Sequence, residues 1–138
     1  MTTLSEIKYV DWQYKLNEIG SVAEGIEDIN QCIAVILSTQ KGSVPHRPTF
    51  GSDILKYVDT PVNVAKPNIT REVIDSINLW EIRVNIDSVS IEINQTQLNI
   101  KVQWSLKEDS STSSTFLLSS SLKFFIQSSF FKAKKFII

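Results

Sequence analysis

An α+β fold is predicted, a small single domain of about three helices packed on an antiparallel β-hairpin or sheet, with an N-terminal arm and a C-terminal extension. Three observations predict it. Apolar residues in the middle of the chain recur with a period of 3.6, those from Val84 onward recur with a period of 2, and a short polar connection separates two alternating runs. A chain of 138 residues can bury one modest core and not two. Hydrophobic residues at 42% and charged residues at 21% belong to a folded domain rather than a disordered one.

The elements follow in order. In the arm, residues 1–25, Trp12, Tyr14 and Leu16 alternate, which favours a short strand or extended segment ahead of a loop from Gly20 to Gly25. Ile29, Cys32, Ile33, Ile36 and Leu37 mark one face of a helix over 28–42, with Asp28 as N-cap and Gly42 ending it in a left-handed conformation after Lys41. A loop with two prolines follows, and Phe50 is placed to pin it onto the core. Ile54, Leu55 and Val58 suggest a short helix over 52–58 that Pro61 stops. A third helix is expected from Asn68, an N-cap after Pro67, to about Leu79, with Ile69, Val73, Ile74, Ile77 and Trp80 on one side.

Then comes sheet. Val84, Ile86, Val89, Ile91 and Ile93 alternate with polar residues, with a slip at Asp87-Ser88 that suggests a bulge or a bend. Leu98, Ile100, Val102, Trp104 and Leu106 alternate without a break. The polar connection between them makes the pair an antiparallel hairpin with one buried face. From Ser110 the composition turns to serine and threonine, a linker by composition, and ends in a basic, phenylalanine-rich run. The expected division is therefore an arm over 1–25, a domain over 26–109 and an extension over 110–138.

Charge is uneven. All fifteen acidic residues lie at or before Asp109 together with ten of the fourteen basic ones, a net of −5, while the extension carries Lys123, Lys132, Lys134 and Lys135 and no acid. An acidic body lacks the concentrated basic face that phosphate recognition needs, so nucleic acid is not an expected partner. The first 25 residues show neither a basic n-region nor an apolar h-region, so no signal peptide is visible and the cytoplasm is the expected place of assembly.

Little supports catalysis or a cofactor. His46 sits in a proline-flanked loop without companions for a metal site, and Cys32 is read as a small buried hydrophobe. No Ser-His-Asp order and no phosphate-cradling glycine loop is present. Neither cofactor nor metal is expected. Glu81 and Arg83, two apart at the entry to a strand, project to the same side, where they can pair with each other or offer a carboxylate and a guanidinium to a partner.

Four motifs in order now carry a resemblance. Asp11-Trp12 with Leu16 and Gly20, Ile33-x-x-Ile36-Leu37-x-Thr39-x-x-Gly42, Pro48-x-Phe50-Gly51, and Trp80-Glu81-Ile82-Arg83 before alternating Val84 and Ile86 together resemble the baseplate wedge family of contractile tails. These are the sheath-initiator proteins once labelled lysozyme-like. Ile82 stands where the family has proline, which keeps a backbone amide and softens the stop. Nothing after about Asp109 has a counterpart in the family.

The resemblance implies a structural, non-enzymatic wedge subunit of a contractile injection tail, six copies to a particle, in contact with sheath protein and other wedge proteins, with tube or hub proteins as further neighbours. It implies docking through Glu81 and Arg83; Trp12, by its place on the arm, is read as a further anchor into a partner. It also implies that the hairpin starts the sheath by strand addition, with the strand carrying Leu98, Ile100, Val102, Trp104 and Leu106 as the templating edge. Assembly in the host cytoplasm and residence in the tail baseplate follow. Two alternatives are a peptidoglycan-cleaving baseplate enzyme, for which Glu24, Glu27 and Asp28 form the densest acidic cluster, and a generic α+β adaptor in another complex. In the extension, 116–138, lysines and serines break every apolar run short of the ~20 residues that span a bilayer, so packing on a neighbouring subunit is expected and membrane is not.

Overall fold

The computed structural model describes residues 5, 8–16, 18–94, 97–107 and 113–118. Among these residues, two α-helices and two antiparallel sheets make an α+β domain. Strands β1 (Trp12–Tyr14) and β2 (Val22–Glu24) pair with each other, α1 (Ile26–Ser38) follows, then a one-turn 3-10 helix (Ile54–Tyr57) and α2 (Val62–Trp80). Strands β3 (Val84–Asn94), β4 (Gln97–Leu106) and β5 (Ser113–Leu117) form the main sheet in the order β3-β4-β5.

Several local expectations shift for identifiable reasons. The loop expected before the first helix contains β2, whose three residues are too few for any period to register. Gly25, at φ 57°, caps α1, and Asp28 lies inside the first turn and is buried. The helix ends at Ser38, where the hydroxyl of Thr39 returns to the carbonyl of Val35 at 2.6 Å. Gly42, at φ 84°, then serves the turn beyond it. Of the three expected helices the middle one is the 3-10 turn.

The largest shift is at Pro67. It was expected to precede a helix, yet α2 runs through it from Val62. A proline inside a helix removes one backbone bond and costs about 3 kcal/mol. Here Ala65, Ile69, Val73 and Ile77 are all buried on one side, and burying each large aliphatic side chain returns roughly 1.5–3 kcal/mol. Asn68 is not the cap; its side-chain amide donates to the Val64 carbonyl at 2.9 Å.

The hairpin follows its pattern. Val84 pairs with Leu106 and Asn94 with Gln97, and the register shifts between Ile86 and Ser88, so the slip in the alternation, which suggests a bulge or a bend, marks a break in register. Val84, Leu98, Ile100, Val102 and Trp104 face the helices and are buried, closing the core with Ile29, Ile33, Leu37 and the α2 residues. Phe50 meets Trp80 edge to face at 5.1 Å, which ties the proline loop to the end of α2. Within the segment expected as a linker, Ser113–Leu117 is a strand beside β4. Its apolar residues, Phe116, Leu117 and Leu118, form a run of three with no alternation, too little to outweigh a serine-rich composition. The expected subunit contact of the extension falls almost wholly on residues 119–138, outside the described residues.

Candidate partner-docking site

Glu81 is the C-cap of α2, its amide held by the Ile77 carbonyl at 2.7 Å, and three residues later, at Val84, β3 begins. That short exit brings Arg83 back over its neighbour. Its Nε and Nη2 donate to the two carboxylate oxygens of Glu81 at 2.6 and 2.8 Å, a bidentate pairing. Nη1 donates to Asp28 Oδ2 at 2.8 Å and lies 3.4 Å from Asp11 Oδ2. Nη2 also approaches the sulfur of Cys32 at 3.7 Å.

One guanidinium thus joins the end of α2, the first turns of α1 and the N-terminal arm. Glu81 and Asp28 are both 4% exposed, so their charges are desolvated and depend on this cation. The hydrogen bonds to Glu81, and then those to Asp28, hold the Arg83 guanidinium charged far above its ordinary range, against the opposing effect of burial. Cys32 is half-buried rather than fully buried, and burial, followed by the charges of Asp28 and Glu81, pushes its thiol upward. Gln13 donates to the Cys32 sulfur at 3.4 Å and to the Asp28 carbonyl at 3.0 Å.

Of the two uses expected for Glu81 and Arg83, pairing with each other or meeting a partner, the pairing is the one formed within the chain, and Arg83 adds Asp28 and Asp11 to it. The sequence reads Asp28 as a helix cap and as a member of an acidic cluster with Glu24 and Glu27, not as a partner of Arg83. The missed signal is its spacing: Asp28 and Cys32 are four apart on the helix side that carries the apolar stripe, and a carboxylate in such a place calls for a counter-ion. What remains outward here is Asp11, whose side chain is 68% exposed, with Val10 and Trp12 beside it in the chain, and Ile82, exposed between Glu81 and Arg83. Trp12 is 38% exposed and stands edge to face on Tyr14 at 5.7 Å. The arm is held by polar ties. Gln31 donates to the Tyr14 carbonyl at 2.8 Å and accepts from the Leu16 amide at 3.2 Å. Glu24 accepts from the amides of Lys8 and Tyr9 at 2.8 and 3.3 Å, and Glu27 pairs with Lys15 at 3.1 Å.

The strand expected as a templating edge lies elsewhere in its sheet than expected. β4, with Leu98, Ile100, Val102, Trp104 and Leu106, is the central strand; β3 takes one edge and β5 takes the other from Lys101 to Ser105. Trp104 is fully buried and its indole N–H donates to Asn30 at 3.2 Å. Among the described residues no group of three metal-ligating side chains is assembled, and no helix is long and apolar enough to cross a membrane. His46 is exposed in its loop.

The model of the family described as baseplate wedge protein gp25 matches residues 23–111, more than half of the chain. The chain belongs to that family. This wedge protein is 26% identical to a protein of Geobacter sulfurreducens provisionally described as a tail lysozyme, with a TM-score of 0.59 over 67% of this chain and 88% of that one. It is also 26% identical to a chain of the postcontracted pyocin R2 baseplate, with a TM-score of 0.57 over 64% of this chain and 92% of the other. A chain of the anti-feeding prophage baseplate shares the fold at 17% identity, with a TM-score of 0.52 over 80% of this chain and 79% of that one. No curated protein matches it significantly. The structural role of the family, in the baseplate of a contractile tail or a related particle, is the role of this wedge protein.

Proposed function

We propose that this chain is a non-catalytic wedge subunit that docks on neighbouring wedge proteins and starts the sheath by accepting a strand of sheath protein on its main sheet. The observation that carries the reading is a long hairpin, β3 and β4, fastened by its apolar face to two helices inside a family of baseplate components. Such a sheet offers rows of main-chain donors and acceptors at a fixed height on a rigid body. Six copies in a sixfold particle, assembly in the host cytoplasm and contacts with tube or hub proteins belong to the same proposal, as does the absence of nucleic-acid, membrane or cofactor binding.

Docking is assigned to the arm face around Trp12, with Glu81 and Arg83 beneath it. The pair holds Asp11 and the start of α1 in place, and the partner reads the surface that this fixes. Glu24, Glu27 and Asp28, the carboxylates an enzyme would need, already serve backbone amides, Lys15 and Arg83.

A map of the assembled particle tests the central claim. A strand of sheath protein continuing the sheet is expected, and sheath subunits that touch the wedge protein only through its helices would overturn strand addition. Purified protein is expected to leave peptidoglycan intact. Clearing of peptidoglycan that disappears in Glu24→Gln or Glu27→Gln would overturn the non-catalytic reading.

A further inference from the structure

We infer that β5 is a placeholder, occupying beside β4 the position that a partner's strand takes over, and that it leaves when that strand arrives. The inference rests on the strand-addition reading above; it adds which edge is used and what the incoming strand must carry.

The two edges of the sheet differ in quality. β3 breaks register between Ile86 and Ser88, and the exposed Asp87 falls in that break. A bulge with charges along an outer strand, here Asp87 and Glu92, is the usual way of making an edge unfit for a further strand. The opposite edge of β4 is regular. Lys101 to Ser105 pair in unbroken antiparallel register with Leu117 back to Ser113. This good edge is covered by a strand of five residues where β4 has ten, and among the described residues the cover extends only to the bond from the Leu118 amide to the Ile100 carbonyl at 2.9 Å.

The cover also reveals the specificity of the position. Phe116 lies opposite Val102 and is half-buried, and Leu118, at 1% exposure, reaches the core, whereas Thr115 and Leu117 face outward. The position thus accepts two apolar side chains spaced two residues apart on a strand antiparallel to β4. A partner strand with that spacing replaces the hydrogen bonds of β5 one for one, and the net change per bond is small. Exchange therefore proceeds without unfolding the hairpin beneath it.

The test fixes β5 in place. Gln103 and Thr115 are register partners and both are exposed, so Gln103→Cys with Thr115→Cys in a Cys32→Ser background allows a disulfide between β4 and β5 without disturbing the core. Baseplates carrying the closed bridge are expected to assemble and to lose sheathed tails, and reduction is expected to restore them. Sheathed tails as frequent with the bridge closed as with it open would overturn the exchange, while leaving strand addition at another edge in place. A particle map with no sheath strand on the sheet at all would instead remove the reading on which the exchange rests.

Discussion

The arm and the main sheet are both small antiparallel constructions, and they are stabilised by opposite means. In the β3-β4-β5 sheet one face is apolar and packed on the helices, and five of its residues have no exposed surface to speak of: Val84, Ile100, Val102, Trp104 and, after β5, Leu118. In the β1-β2 hairpin the large apolar side chains are turned out, with Val10 at 96%, Tyr14 and Leu16 at 69% and Ile19 fully exposed. What holds the arm is polar: Gln13, Gln31, Glu24 and the Arg83 network reach its backbone and side chains. A construction that keeps its apolar groups outside while fastening itself with hydrogen bonds has surface to give to another protein. One that buries them has made itself a platform.

If this contrast is right, damage to the sheet should be large and global. Trp104→Ala removes the largest fully buried side chain and leaves Asn30 without its donor, so a loss of about 3–5 kcal/mol is expected. Chemical denaturation reads it as a lower midpoint in a single transition. A loss under about 1 kcal/mol, the size of an ordinary surface change, would mean that the sheet is not the main source of stability.

Arg83→Ala probes the seam between the two regions. It strands two buried carboxylates, Glu81 and Asp28, and breaking such a pair by removing one partner costs about 3 kcal/mol at the lower end of the range, since the guanidinium side chain is itself 29% exposed. The same denaturation series measures it. Arg83→Lys keeps the charge and loses the fork, so its stability should fall between that of the native chain and that of Arg83→Ala. The arm should feel either change more than the sheet, through faster hydrogen exchange over 12–24.

The contrast also explains what the sequence could tell. The main hairpin was readable to its bulge, because a strand with one buried face writes its register into alternating residues. Family membership was readable because motifs such as Trp80-Glu81-Ile82-Arg83 are local. Helix α2 was read short, because a local penalty at Pro67 is outweighed by long-range burial that no short window contains. Asp28, Gln13 and Gln31 were missed for the same reason: their partners are 15 to 55 residues away. The fold was therefore legible where a period existed, and the site only where its residues were neighbours in the chain.

Gln31→Ala is the next step down. It removes the bonds to Tyr14 and Leu16, both at an exposed site where water can substitute, and about 1 kcal/mol is the expected cost. Local opening should exceed global destabilisation. Limited proteolysis should cut the arm sooner while the denaturation midpoint moves little, and equal sensitivity of arm and sheet would break the comparison.

Cys32 lies under the seam and supplies a pH test. Its thiol titrates above its ordinary value of 9.0 because burial first, and then Asp28 and Glu81, oppose the thiolate. A raised folded value means that the folded chain holds this proton more tightly than the unfolded chain. The contribution is therefore complete below pH 9 and is lost as pH rises through the folded value. Alkylation of Cys32 at pH 8 should be slower in the native chain than in urea. Equal rates would mean that the seam is open to solvent.

Trp12→Ala should have the smallest effect on the isolated chain and serves best to sharpen the comparison. Its ring meets Tyr14 and solvent rather than the core, so stability should change by no more than about 0.5 kcal/mol. Assembly is another matter. An exposed tryptophan on a surface fastened from behind is suited to anchor a contact, and truncation of such an anchor costs about 2 kcal/mol or more in binding. Incorporation into baseplates, measured beside the unchanged denaturation midpoint, should fall sharply for Trp12→Ala and hardly at all for Val62→Ala, an exposed apolar residue at the start of α2. Equal incorporation of the two variants would show that outward apolar groups on the arm are no different from those elsewhere, and the division between a docking arm and a supporting platform would have to be given up.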